Sequence, residues 1–211
     1  MSTGLISHAE LYERFASIVA TSLRIDPSQV TREAYLDDLG AESLDLIEIT
    51  MESENEFDVV MPERNIFDTA QEVLGPGVLE TDGALTDEGH RLLRRRLPEI
   101  DASVLAETRS MADARKLFMR VDTWLRLIEA LMEHSPRLCA ACGAAREKSS
   151  PGSLRCPRCG SEAAIPSGDE INQRWVREYY EREYLASRSS APGPLQTPTS
   201  IDEIEQRASS A

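Results

Sequence analysis

All four cysteines of the chain lie in two Cys-x-x-Cys pairs, a pattern that supplies thiolate ligands for a metal ion. Thirteen residues separate the pairs, and a glycine follows each of them. Four thiolates form a tetrahedral Zn²⁺ site of the structural type, which contributes folding free energy directly. Glycine suits the tight turn after each pair because it tolerates a positive φ. The spacing therefore predicts a zinc site whose ligands are Cys139, Cys142, Cys156 and Cys159.

Other interpretations of the four cysteines stay open. Two disulfides are disfavoured because no export signal is found at the N-terminus. A redox Cys-x-x-Cys is expected inside a strand–helix–strand pattern, which neither pair has. An iron–sulfur cluster can also use four cysteines. The segment 136–166 resembles a zinc ribbon, a module that binds nucleic acid or mediates protein contacts.

A serine lies where a strongly patterned helix is expected to begin. Ser43 follows the turn-forming segment 39–41, and Leu44, Ile47 and Met51 come after it at the spacing of one buried helical stripe. A second, acidic stripe on the same helix consists of Asp45, Glu48, Glu52 and Glu56. One face of this predicted helix should pack, and another should present like charges.

The residues around Ser43 match the motif of a known family. They are Leu39, Gly40, Glu42, Ser43, Leu44 and Asp45. This stretch resembles the attachment site of acyl and peptidyl carrier proteins, and the resemblance runs from Leu36 to Phe57. It departs at Glu42, where the family more often has Asp.

The resemblance implies a cofactor and a chemistry for Ser43. In the family this serine accepts 4′-phosphopantetheine from coenzyme A through a phosphopantetheinyl transferase, and the thiol of the arm carries an acyl group as a thioester. A phosphodiester suits a helix N-terminus, where unpaired N–H groups and the helix dipole stabilise an exposed anion by roughly 0.3–1 kcal/mol. The simpler alternative is that Ser43 is only an N-cap.

The acidic residues near Ser43 are candidates for partner recognition. On the carrier interpretation, Glu42 and the acidic stripe Asp45, Glu48, Glu52 and Glu56 steer the basic docking patches of the transferase and of acyl-loading and acyl-processing enzymes. The simpler alternative is a solvated helix face, which is common.

Composition limits the classes of partner and location. The net charge of −14 disfavours binding to a phosphate backbone, and the acidity is concentrated in residues 1–68, with a net charge of −11. No long apolar run indicates a membrane span, so we expect a cytoplasmic protein without a membrane partner. Nucleic acid is not an expected partner, although residues 137–166 have a net charge of +3. Two glutamates there offset part of the charge of five basic residues, Arg137, Arg146, Lys148, Arg155 and Arg158.

Capping and periodicity place the other helices. A capping box at Ser7 starts a helix that should run to about Leu23, and a long loop leads to Ser43. A later apolar stripe, beginning at Val121, predicts the last helix of the carrier fold, displaced by an insertion over 69–116. Thr86 and Ser110 are expected to begin helices within the insertion, and Ser167 to cap a helix after residue 166. Alternatively, 66–74 completes the carrier domain by itself.

These patterns predict a mainly α protein: an acyl-carrier-like four-helix bundle with a helical insertion, a small zinc ribbon and a disordered C-terminal tail. The expected domains are 1–135 (carrier), 136–166 (ribbon), 167–187 (helix) and 188–211 (tail). The three histidines join no catalytic pattern. We therefore expect a carrier protein and not an enzyme, with the ribbon as a docking module. The alternatives are an unmodified carrier-like interaction or regulatory protein, and a zinc-ribbon nucleic-acid binder.

Overall fold

Side-chain caps begin four of the eight helices at the predicted positions. Ser7 accepts a hydrogen bond from the Glu10 N–H at 3.1 Å, and Thr86, Ser110 and Ser167 cap later helices in the same way. The computed structural model describes residues 6–185 and is mainly helical, as predicted. The helices are α1 His8–Leu23, α2 Ser43–Phe57, α3 Ile66–Leu74, α4 Asp87–Arg96, α5 Ala102–Glu107, α6 Met111–Leu117, α7 Val121–His134 and α8 Gly168–Tyr179. The predicted tail, 188–211, lies outside the described residues.

A first apolar core joins α1, α2 and α7. Phe15, Ile49 and Ile128 are fully buried in it, and the ring of Phe15 stacks on Trp124 with 5.7 Å between centroids. The long loop before α2 is fastened to the residues that precede α7, because the Leu36 N–H donates to the Met119 carbonyl at 2.9 Å. The helix at Val121, distant in sequence, therefore packs directly on the helix that begins at Ser43.

A second apolar core contains α3 to α6 and the C-terminal helix α8. Its residues between Ile66 and Leu117 come mostly from the insertion, and Val176, Tyr179 and Tyr180 of the C-terminal segment are buried against them. A two-stranded hairpin, β1 Glu80–Thr81 with β2 Ala84–Leu85, connects α3 to α4. The aromatic residues after the ribbon thus pack on the insertion.

The cysteine-containing segment forms a three-stranded antiparallel sheet in the order β3 Glu147–Ser150, β4 Ser153–Arg155 and β5 Glu162–Ala164. The chain then returns to the first core, where the Gly168 N–H donates to the Val60 carbonyl at 2.8 Å. A Cβ at Gly168 would lie 2.4 Å from the Pro62 nitrogen, so only glycine permits this approach. None of the helices between residues 6 and 185 is long and apolar enough to cross a membrane.

Candidate functional site

Ser43 is the first residue of α2, and its side chain is exposed. The preceding residue, Glu42, is the N-cap, and its N–H donates to the Asp45 carboxylate at 2.8 Å. The alternative that Ser43 is only an N-cap is therefore wrong. Within residues 6–185, no hydrogen bond holds the Ser43 hydroxyl, so the oxygen is accessible to a reaction partner.

The turn before Ser43 is positioned from both sides. Gly40 has a φ of 95°, and the Ala41 N–H donates to the carbonyl of fully buried Leu36 at 2.9 Å. Lys116 of the insertion pairs with Asp38 at 3.3 Å. The loop before Ser43 is thus anchored in the first core and also contacts the insertion.

The prediction that α2 packs through Leu44, Ile47 and Met51 is wrong. Leu44, Ile47 and Met51 are 79%, 56% and 56% exposed. The helix packs through a second stripe at equally good helical spacing, formed by Ile49, Ser53 and Phe57, with Leu46 half-buried. Sequence favoured the first stripe because Ser53 is polar, but its hydroxyl donates to the Ile49 carbonyl at 2.7 Å and is therefore satisfied when buried.

The exposed face of α2 combines apolar and acidic side chains. Glu48 and Glu52 are exposed beside Leu44, Ile47 and Met51 and have no ion-pair partner in the described part of the chain. The other two acidic-stripe residues are engaged: Asp45 accepts the capping hydrogen bond, and Glu56 accepts from Arg14 at 3.0 Å. We call this exposed surface, Leu44, Ile47, Glu48, Met51 and Glu52, the α2 face.

The apolar half of the α2 face was not predicted from the sequence. The missed signal was the presence of two helical stripes, since a helix that offers both can bury only one of them against a single core.

The four cysteine sulfurs converge. All four Sγ atoms lie within 4.8 Å of one another, and the sulfurs of different pairs approach to 3.6 Å for Cys139–Cys159 and 3.4 Å for Cys142–Cys156. Zn–S bonds of about 2.3 Å in a tetrahedron require sulfurs about 3.8 Å apart. All four are free thiols. The arrangement is compatible with a Cys₄ metal site.

Each cysteine pair is held in a tight turn that aims its sulfurs inward. The Gly143 N–H donates to the Cys139 carbonyl at 2.8 Å, and the Gly160 N–H donates to the Cys156 carbonyl at 2.9 Å. The two glycines have φ of 70° and 74°, values that other residues rarely adopt. The prediction that glycine permits these turns is confirmed.

The Ser161 hydroxyl contacts the sulfur cluster. Its oxygen is 3.3 Å from the Cys139 sulfur, and this hydrogen bond is the main cause that lowers the pKa of Cys139 to about 5. It also lowers the pKa of Cys159, which is again 3.3 Å away. Thiolates this close repel one another, so a bound divalent cation would favour ionisation of all four.

Comparison with known proteins places the Ser43 region in a family. The family model "Phosphopantetheine attachment site" matches residues 13–74. The acyl carrier protein of Thermotoga maritima is 43% identical over 63 residues, 29% of this chain and 78% of that protein. This chain belongs to the acyl carrier protein family. It is accordingly a carrier protein and not an enzyme.

Two further carrier proteins match over the same kind of length. Those of Clostridium acetobutylicum and Caulobacter vibrioides are 43% and 45% identical, over 25% and 26% of this chain and 70% and 72% of theirs. No solved structure matches the chain. The matches to the three carrier proteins thus each cover between 25% and 29% of this chain.

The family match and the packing assign different helices to the end of the carrier domain. The match ends at Leu74, the last residue of α3, which packs in the second core. The helix that packs with α1 and α2 is α7, some fifty residues later. In this carrier protein, the third helix of the first core, α7, thus lies outside the segment that matches the family.

Proposed function

We propose that this carrier protein holds acyl or related biosynthetic intermediates as thioesters on a 4′-phosphopantetheine arm attached to Ser43. The proposal rests on the Ser43 hydroxyl, which is exposed and has no hydrogen-bond partner in the described residues. It lies at the start of α2, inside the segment that matches the phosphopantetheine attachment family. In the attachment step the serine oxygen bonds to the phosphorus of coenzyme A that bears pantetheine. The adenosine bisphosphate leaves, and the serine proton passes to the transferase.

We propose that the α2 face orients the partner enzymes. Family membership implies contacts with a phosphopantetheinyl transferase and with acyl-processing enzymes. Glu48 and Glu52 lie about one and a half and two and a half turns from Ser43, so a basic patch that contacts them would bring its active site to the arm. Exposed Leu44, Ile47 and Met51 would add apolar contacts at the centre of the same interface.

We propose that Cys139, Cys142, Cys156 and Cys159 bind Zn²⁺ in a ribbon that serves as a docking module. The sulfur geometry and the two turns support the metal. Its position supports docking, because β3 contacts the last turn of α2 and so lies beside the surface that partners would approach.

In vitro loading tests the attachment. Purified protein, incubated with coenzyme A and a broad-specificity transferase, should gain the mass of one phosphopantetheine, and Ser43→Ala should gain none. Circular dichroism should show that Ser43→Ala keeps the wild-type helix content. Failure of the wild-type protein to gain mass with several transferases would contradict the proposal and favour an unmodified interaction protein.

A further inference from the structure

A cavity of about 320 Å³ lies between the two apolar cores. Thr50 of α2 and Trp124 and Leu127 of α7 form one wall. Leu97 of the insertion and Phe118, just after it, contribute to the other. Its volume is at the lower end of the range for small-molecule sites. Because the family match ends at residue 74, much of this wall comes from outside the matched segment.

Three charged side chains extend into the cavity wall. The Glu99 carboxylate is 3.2 Å from Nε of Arg126. Arg96 instead donates to a neutral atom, Oδ1 of Asn172, at 3.3 Å, and its own Nε is buried with no hydrogen-bond partner in the described chain. Glu99 is thus paired with Arg126, whereas Arg96 has no carboxylate within ion-pair distance among residues 6–185 and feels the charge of Glu99 only from further away.

The environment of Arg96 makes this lack of a partner costly. Burial, followed by the nearby charge of Arg126, lowers the pKa of Arg96. The Trp175 ring, 5.6 Å from Cζ of Arg96, and the Asn172 oxygen replace only part of the hydration that the guanidinium loses, because neither carries a negative charge. A ligand carboxylate beside Arg96 would supply the missing charge.

The remaining charges of the lining do not change this balance. Arg64 pairs with Glu72, and Glu63 is exposed to solvent. In a chain with a net charge of −14, the inner cavity is therefore a local site of positive charge.

We propose that this cavity binds a small molecule with an apolar body and one carboxylate, which pairs with Arg96. The guanidinium is suited to this because its planar fork can donate two parallel hydrogen bonds to a carboxylate. Trp124, Leu127 and Leu97 surround the apolar body. Glu99 and Arg126 form the polar edge of the site.

Such a carboxylate could reach the cavity from two sources. One is a free acid from solution. The other is a carboxyl-ended group carried on the arm, and this source rests on the proposed attachment at Ser43. Thr50 lies seven residues after Ser43, hence two turns further along the same side of α2 and about 10 Å along its axis. An arm that follows the helix therefore meets the cavity rim.

Binding of a free acid tests the site without the arm. Ser43→Ala protein, full length, is titrated with octanoate and with uncharged octanamide by calorimetry. Octanoate should bind at least tenfold more tightly than octanamide. Arg96→Gln should lower the affinity for octanoate at least tenfold and leave the affinity for octanamide unchanged. Arg94→Gln, an exposed position on the same helix outside the lining, should change neither.

Two further variants separate ligand binding from a loss of fold. Arg96→Lys keeps the charge and should retain part of the preference for octanoate. Arg126→Gln removes a side chain that is 46% exposed, so the fold should persist. It also leaves the Glu99 carboxylate unpaired beside the ligand, so the affinity for octanoate should fall. Absence of octanoate binding at millimolar concentration, equal binding of octanoate and octanamide, or equal effects of Arg96→Gln and Arg94→Gln would overturn the proposal.

Loading of the arm distinguishes the two sources. Wild-type protein carrying an octanoyl group is compared with protein carrying a suberyl group, which ends in a carboxylate. NMR should show the Arg96 Nε–H and Trp124 indole signals shifted by the suberyl arm well beyond the shift caused by octanoyl. Equal shifts would restrict the site to free acids. Failure to load either group would count against the Ser43 proposal alone, because the titration in the Ser43→Ala protein still decides the cavity.

Discussion

Lys148 of the ribbon donates two hydrogen bonds to Asn55 of α2, from Nζ to Oδ1 at 3.1 Å and to the backbone carbonyl at 3.3 Å. The same ammonium is 3.8 Å from Asp58. A second ribbon residue, Arg137, donates to the Phe57 carbonyl at 2.5 Å. The ribbon thus contacts the carboxyl end of the helix whose amino end carries Ser43, at the carbonyls that a helix terminus leaves without partners.

Removal of the proposed zinc is therefore expected to loosen the end of α2 as well as residues 137–165. In Cys156→Ser protein, or after chelation, amide hydrogen exchange should accelerate in 137–165 and in 55–60, because the ribbon supplies hydrogen bonds to both. The middle of α1 should remain protected. Metal analysis of wild-type protein should give one zinc per chain. Iron with a brown colour, or unchanged exchange after chelation, would contradict a structural zinc site.

The two stripes of α2 give a stability prediction. Ile49→Ala should lower the free energy of unfolding by about 2–5 kcal/mol, because it leaves a cavity in the first core. Ile47→Ala removes the same atoms from an exposed position of the same helix and should change it by less than about 0.5 kcal/mol. Urea unfolding measures both. A large loss for Ile47→Ala with a small one for Ile49→Ala would show that the predicted stripe packs after all.

The α2 face gives a kinetic prediction. Glu48→Lys with Glu52→Lys should slow phosphopantetheine transfer and reduce its dependence on salt, because charge complementarity mainly accelerates association. The matched control is Glu107→Lys with Glu181→Lys, which changes the net charge equally at exposed positions away from α2. If the control slows transfer as much as the α2 variant, overall charge and not this surface governs the encounter.

Glu99 gives a pH prediction. Burial raises the pKa of its carboxyl above the usual value. The folded protein therefore binds this proton more tightly than the unfolded chain, and the associated stability is present at low pH and lost as pH rises through the raised pKa. Relative to Glu99→Gln, the wild-type free energy of unfolding should fall over that interval. Parallel curves for the two proteins from about pH 4 to pH 8 would contradict the buried, perturbed carboxyl.

Local signals predicted the helices better than their packing. Ser7, Thr86, Ser110 and Ser167 begin helices as expected because a cap needs only residues within one turn. The packing face of α2 was missed because Ile47 and Ile49 both belong to helical stripes, and contacts with α1 and α7 decide between them.

The cavity could not be predicted from sequence. Arg96, Glu99 and Arg126 come together only because the insertion packs beside α7, and nothing in their spacing indicates this. The convergence of the four cysteines was predictable from their spacing. Each Cys-x-x-Cys pair forms a local turn, and the single short sheet β3–β5 is enough to bring the two turns together. The cytoplasmic location stays a prediction.

The most direct test of the central claim is the mass of the peptide that contains Ser43 in protein purified from its native host. Trypsin should release residues 33–64, which include Ser43, Thr50 and Ser53. We predict one phosphopantetheine on this peptide, and fragmentation should place it on Ser43, because Ser53 is buried. An unmodified peptide throughout the native population, or a group on another residue, would contradict the account.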